Sequence, residues 1–228
     1  MPDHAWALVL LGAIAGVLSG MFGIGGGIVI VPALSLIFGY ELQSAIGTSL
    51  GVLVMPVSVF AVLAYYRAKQ LQIAPAMLIA LGLVIGGVFG AQLALNMPTS
   101  TLQRVYGVFL VWVGWRFIEP RKLWAERAGR TLPTRAEKTA EPQVAWYIVF
   151  GVGLIAGVAS GLFGIGGGLV IVPALITLLD FDQKRAVGTS LAALLPPVGI
   201  GAVLSYYDAG KMELSAVVFI AMGLVFGA

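Results

Sequence analysis

Six stretches of this chain, 5–40, 42–66, 70–103, 143–179, 186–207 and 214–228, contain no Asp, Glu, Lys or Arg. About 20 apolar residues cross the hydrocarbon core of a bilayer, so each stretch can supply one crossing and the longest can supply two. A crossing segment must satisfy its backbone polar groups internally, and helices do so. The pattern predicts an all-α membrane protein, a polytopic helical bundle. In the first half the apolar segments fall at 5–21, 28–38, 45–66, 73–95 and 102–118.

The order of these segments repeats. Gly-Met-Phe-Gly-Ile-Gly-Gly-Gly-Ile-Val-Ile-Val-Pro-Ala-Leu at 20–34 returns as Gly-Leu-Phe-Gly-Ile-Gly-Gly-Gly-Leu-Val-Ile-Val-Pro-Ala-Leu at 161–175, 141 positions later. The same offset carries Gly47, Thr48 and Ser49 onto Gly188, Thr189 and Ser190, and Tyr65-Tyr66 onto Tyr206-Tyr207. Over 12–87 no gap is needed and about half the positions are identical, which marks a duplication rather than a shared apolar bias. The expected organisation is a first transmembrane repeat at 1–118, a linker at 119–142 and a second transmembrane repeat at 143–228. The second repeat ends at the counterpart of Gly87, so it is expected to lack its last helix.

Charge sets the orientation. The linker holds Arg121, Lys122, Arg127, Arg130, Arg135 and Lys138 among Pro, Thr, Glu and Ala, and the positive-inside tendency places it in the cytoplasm. An odd number of crossings per repeat, five or three depending on whether 28–38 is re-entrant, turns the second repeat over. The loop charges follow: Arg67 and Lys69 become Asp208 and Gly210 under the offset, while Gln43 and Ser44 become Lys184 and Arg185. Cations thus sit in whichever copy of a loop is cytoplasmic, with Ser44 and Asp208 outside, and Lys211 alone on the opposite side to the rule. The fold expected is two inverted-topology repeats with broken, partly re-entrant glycine-rich helices.

Composition adds exclusions. Hydrophobic residues make up 60% of the chain and charged residues 10%, against about 25% charged in soluble domains, so the partner is the lipid bilayer. The net charge of +3 is a topology marker and not a nucleic-acid footprint. Met-Pro-Asp-His at the start lacks the cationic n-region of a secretory signal, and the first apolar run reads as a retained helix. Without cysteine, disulfides, thiolate metal sites and Cys nucleophiles are absent, and the one histidine, His4, lies in the tail. No catalytic residue, metal site or cofactor is expected. The charge-free blocks also lack the ionisable side chains of a proton relay.

Candidate chemistry concentrates in the glycine turns. Successive glycines cost about 1 kcal/mol each in a helix, so 23–27 and 164–168 should be breaks. The piece that follows, 28–38, spans only about 17 Å as helix against a core of about 30 Å. A helix that starts inside the membrane presents free N–H groups and partial positive charge to an anion. Gly25, Gly26, Gly27 and Gly166, Gly167, Gly168 are the candidate cradle; close helix packing is the competing role for the same glycines. The hydroxyls of Thr48, Ser49, Thr189, Ser190, Ser19 and Ser160 could donate to the anion or bond their own helices. Tyr65-Tyr66, Tyr206-Tyr207, Trp112, Trp115 and Arg116 read as interface anchors, with gating of a path the alternative for the tyrosine pairs. Pro32 and Pro173 are expected near the start of the half-helices, where a missing donor costs least. The Lys-Ser/Thr that closes a nucleotide-binding P-loop is missing from both copies.

The paired Gly-Met/Leu-Phe-Gly-Ile-Gly-Gly-Gly segments, each followed by Pro-Ala-Leu and then Gly-Thr-Ser, resemble the sulfite exporter TauE/SafE family of membrane permeases, and the likeness covers both halves. The resemblance implies a multi-pass transporter of the cell membrane, associated in this family with sulfite, sulfoacetate and related organosulfur anions. It assigns no residue a role. A passive anion channel is the alternative, and a membrane-embedded enzyme a more distant one. A homo-oligomer is compatible with the sequence, which does not fix the oligomeric state.

Overall fold

The computed structural model describes residues 5–22, 25–55, 59–118 and 145–227. The basic linker 119–142, His4 and the turn residues Gly23 and Ile24 lie outside the described residues, as does the side chain of Arg116. Within them every regular element is an α-helix. The first half contains α1 (Ala5–Phe22), α2 (Gly27–Leu36), α3 (Leu42–Val54), α4 (Val59–Arg67), α5 (Ile73–Asn96) and α6 (Thr99–Ile118). The second contains α7 (Trp146–Phe163), α8 (Gly168–Leu178), α9 (Gln183–Leu194), α10 (Ile200–Asp208) and α11 (Leu214–Gly227). Helix bounds recur at the 141-residue offset: α1 onto α7 and α4 onto α10 at both ends, α2 onto α8 and α3 onto α9 within one residue. The chain divides into two units, 97–141, which carries α6, and the remainder, which carries the other ten helices.

In the larger unit α5 and α7 are each long and apolar enough to cross a membrane. Their outward stripes suit lipid and not water: Ile73, Met77, Leu81, Ile85, Phe89 and Leu93 are exposed on α5, as are Trp6, Leu10, Ile14, Val17 and Met21 on α1. These residues recur every three or four positions, one face of a helix. The inward stripe is made of small residues. Gly82, Gly86 and Gly90 of α5 lie against Gly153, Gly157 and Gly161 of α7, so close that a Cβ on any of the six would collide with the backbone of the other helix. Contacts advance together along the two helices, Gly82 beside Leu154, Gly86 beside Val158 and Gly90 beside Leu162, so α5 and α7 run parallel. Lipid offers no hydrophobic drive for helix association, and backbones at this distance gain their attraction from packing. The offset reproduces the arrangement between α11 and α1, where Gly223 packs on Val9 and Gly12 on Ile220.

Contacts between the halves are reciprocal. The Thr48 hydroxyl accepts from the N–H of Glu213 (3.0 Å), and the Thr189 hydroxyl accepts from the N–H of Gln72 (3.2 Å). Gly47 packs on the Lys211 carbonyl and Tyr206, Gly188 on the Gln70 carbonyl and Tyr65. Each statement becomes its partner when 141 is added to one residue and subtracted from the other, as at a two-fold interface. One short stretch receives two helix ends: Gln43 Nε2 donates to the Ala94 carbonyl near the end of α5 (3.0 Å), and Lys211, just before α11, pairs with Glu41 (2.6 Å).

Two departures from the sequence reading concern proline. The apolar stretch 45–66 is not one continuous helix: Met55, after α3, is extended at ψ 141°, the conformation that the following Pro56 favours. The second half breaks between α9 and α10, where Pro196 and Pro197 lie. Pro32 and Pro173 stand at the sixth position of α2 and α8, beyond the first turn. Each therefore removes an intrahelical donor instead of occupying a place where none was needed.

Candidate functional site

Both glycine turns end in the same backbone geometry. Gly26 caps α2 at φ 78°, ψ −21°, and Gly167 caps α8 at φ 82°, ψ −24°. These left-handed dihedrals disfavour any residue with a Cβ. The first intrahelical bonds run from Val29 and Ile30 to the Gly26 carbonyl, and from Val170 and Ile171 to the Gly167 carbonyl. The N–H groups of Gly27, Ile28, Gly168 and Leu169 precede them, in the part of a helix that carries unsatisfied donors. Without a side-chain cap at either Gly26 or Gly167, those donors are left to backbone, water or ligand.

The turns meet each other. A Cβ on Gly25 would lie 3.8 Å from the Gly166 Cα, and one on Gly166 would lie 3.9 Å from the Gly25 Cα. Gly27 is pressed onto the Gly164 carbonyl and Ile165, where a Cβ would collide. Close packing and left-handed geometry therefore divide the glycines: Gly27 is needed for approach, Gly25, Gly26, Gly166 and Gly167 for their dihedrals. Two donors from elsewhere hold the second turn. Ser49 Oγ donates to the Gly164 carbonyl (2.8 Å), and the buried Tyr206 hydroxyl donates to the Gly161 carbonyl (3.0 Å), an acceptor at the C-terminal end of α7.

A cavity of about 30 Å³, room for about two waters, lies at this meeting point. It is lined by Gly25, Gly166 and Ser160, by Leu50, Leu53, Val54 and Met55 at the first proline break, and by Leu194, Leu195, Val198 and Gly199 at the second. Ser160 is the polar side chain among them. It is 8% exposed, and its hydroxyl makes no hydrogen bond among the described residues. Among the described residues no charged side chain lines the cavity.

Of the residues singled out from sequence, Gly25, Gly166 and Ser160 come together on the cavity. Gly26, Gly27, Gly167 and Gly168 stand one or two residues behind it. Thr48, Ser49, Thr189 and Ser190 are fully buried, and Ser19 nearly so, but none of them is in the lining. Thr48 and Thr189 instead accept from the N–H of the residue just before α11 and α5, Glu213 and Gln72, which within one helix is the work of a capping-box side chain and is performed here by the opposite half. The apolar wall at 53–55 and 194–199 escaped the sequence reading, although Pro56 and Pro196-Pro197 mark both breaks. Among the described residues no cluster of His, Cys, Asp or Glu could hold a metal ion.

The chain's similarity to known proteins agrees with this architecture. The model of the family described as Sulfite exporter TauE/SafE matches residues 8–228. A probable membrane transporter protein of Methanocaldococcus jannaschii is 30% identical over 89% of this chain and 72% of its own length. The probable membrane transporter protein YunE of Bacillus subtilis is 31% identical over 81% of this chain and 71% of its own. A second Bacillus subtilis protein, probable membrane transporter protein YdhB, is 24% identical over 97% and 86%. No solved structure matches the chain. A family match over nearly the whole chain, on a bundle whose outward faces are apolar, places the protein in the sulfite exporter TauE/SafE family of membrane transporters.

Proposed function

We propose that this chain is a permease of the cell membrane that carries a small anion, sulfite or a sulfonate, through the cavity where its two glycine turns meet. One observation carries the reading: two helix N-termini, α2 and α8, begin within two residues of a cavity that is also lined by Ser160, whose hydroxyl has no partner among the described residues. Oriented N–H groups and a hydroxyl donate to an anion without the cost of a buried cation. The relatives' names supply the transport class, and the family's description supplies sulfite.

In this reading the halves are inverted repeats, with the linker 119–142 cytoplasmic. Support comes from the reciprocal contacts. The start of α5 lies at Thr189 and its end at Gln43, while the start of α11 lies at Thr48 and Glu41. Equivalent helices that start at opposite ends run in opposite directions, the arrangement that builds alternating-access sites at a repeat interface. Glu41 also accounts for Lys211, the one loop cation on the outer side: the cation is paired there.

The test is transport by purified protein in liposomes. Saturable counterflow of labelled sulfite, accelerated by unlabelled sulfite inside, is expected; large single-channel currents without counterflow would make the protein a channel.

A further inference from the structure

Resting on the anion reading above, we propose that Leu53 and Leu194 set the size limit of the site, so that it takes a compact oxyanion such as sulfite and excludes a sulfonate carrying an alkyl chain. Among the described lining residues, Gly25 and Gly166, Leu53 and Leu194, and Val54 and Leu195 are pairs related by the 141-residue offset. The Leu53–Leu194 pair covers the glycine turns. Leu53 Cδ1 lies 2.9 Å from where a Cβ on Gly166 would stand, and Leu194 Cδ1 lies 3.7 Å from where a Cβ on Gly25 would stand. In each case the leucine is the side chain nearest that position. The cover is exchanged between the halves: the leucine of the first lies over the turn of the second, and the leucine of the second over the turn of the first.

The proline breaks put these leucines there. Leu53 is the last residue but one of α3, and Leu194 is the last of α9. Both helices stop just short of Pro56 and Pro196-Pro197, so their ends come to the cavity instead of running past it. Leu50 and Leu191, three residues earlier, are each 1% exposed and belong to the core. Leu53 and Leu194 are only partly buried. A space of about 30 Å³, room for about two waters, suits a compact anion and leaves no place for a hydrocarbon chain beside it. Such a chain would have to displace Leu53 or Leu194. One methylene too many in an apolar pocket costs roughly tenfold or more in discrimination. Trimming either leucine to alanine removes the Cδ1 that lies over a glycine turn and opens a void continuous with the cavity.

Calorimetry with sulfite and with propanesulfonate tests this on the purified full chain and on its Leu53→Ala and Leu194→Ala variants, with melting temperature measured alongside. The wild type should bind sulfite and hold propanesulfonate at least about a hundredfold more weakly. In either alanine variant the gap should close to within about tenfold. Should an alanine variant fail to fold, Leu53→Val and Leu194→Val carry the test with the shorter ethanesulfonate, and again the gap should narrow. A wild type that binds both anions alike overturns the size limit. Folded variants that bind sulfite and still exclude the alkyl sulfonate as the wild type does take the limit away from these leucines. Either result leaves the anion site standing, whereas failure of the wild type to bind either anion overturns the anion reading and the size limit together.

Discussion

Gly25 and Gly166, equivalent residues of the two halves, pack together on the wall of the cavity, close enough that a methyl on either would reach van der Waals contact with the other's Cα. Both hold positive φ, 82° and 76°. A methyl on Gly25 has room, its nearest neighbour being the Ile165 carbonyl at 3.5 Å, so the cost of Gly25→Ala is conformational, about 1–2 kcal/mol. The variant should fold with a modestly lowered melting temperature and lose most of its affinity for sulfite. Calorimetry on the folded variant checks this; wild-type affinity would detach Gly25 from the site.

Thr48 and Thr189 should contribute to stability and not to binding. Replacing either by Val removes an acceptor from the part-buried N–H just before α11 or α5, a loss of about 1 kcal/mol each. The two sites lie at opposite ends of the bundle, so the double variant should lose the sum. Melting in detergent measures the loss. Unchanged anion affinity in both variants is the accompanying expectation.

Glycines within one helix should respond in opposite senses. Gly151 of α7 has nothing within 4 Å of an added methyl, and Gly151→Ala should stabilise by about 0.5–1 kcal/mol. Gly157, six residues on, would drive its methyl to 2.7 Å from the Leu83 carbonyl. Gly157→Ala should destabilise by about 1–3 kcal/mol, and Gly157→Val should fail to assemble.

The helical class and the glycine breaks were readable from residue order, because charge-free apolar runs and four glycines within five residues have few other meanings, and the ungapped 141-residue offset recurs in the helix bounds. Gly25 and Gly166 were legible for the same reason. The exchange of Thr48 and Thr189 between halves was not, since a hydroxyl's partner 165 or 117 residues away leaves no trace in local pattern. The cavity's aliphatic wall was legible only in part: Pro56 and Pro196-Pro197 interrupt helices by rule, but hydropathy counts Leu53, Val54, Leu194 and Leu195 as ordinary membrane residues. Ser160 and Ser19 were equivalent in sequence, and only the three-dimensional packing opens Ser160 to the cavity.

Orientation is testable on a chain with no cysteine of its own. Ser44→Cys and Arg185→Cys occupy equivalent positions of the two halves, and impermeant maleimide added outside should label the first and not the second. Labelling of both from one side would contradict the inverted arrangement.

In the proposed site the Ser160 hydroxyl faces the anion between the glycine turns. Sulfite binding to the purified wild type and to Ser160→Ala, measured by calorimetry alongside melting temperature, isolates it. One hydrogen bond to a charged group contributes about 1.5–3 kcal/mol, so the predicted result is at least about tenfold weaker binding at an unchanged melting temperature. Equal affinity in the two proteins would contradict it.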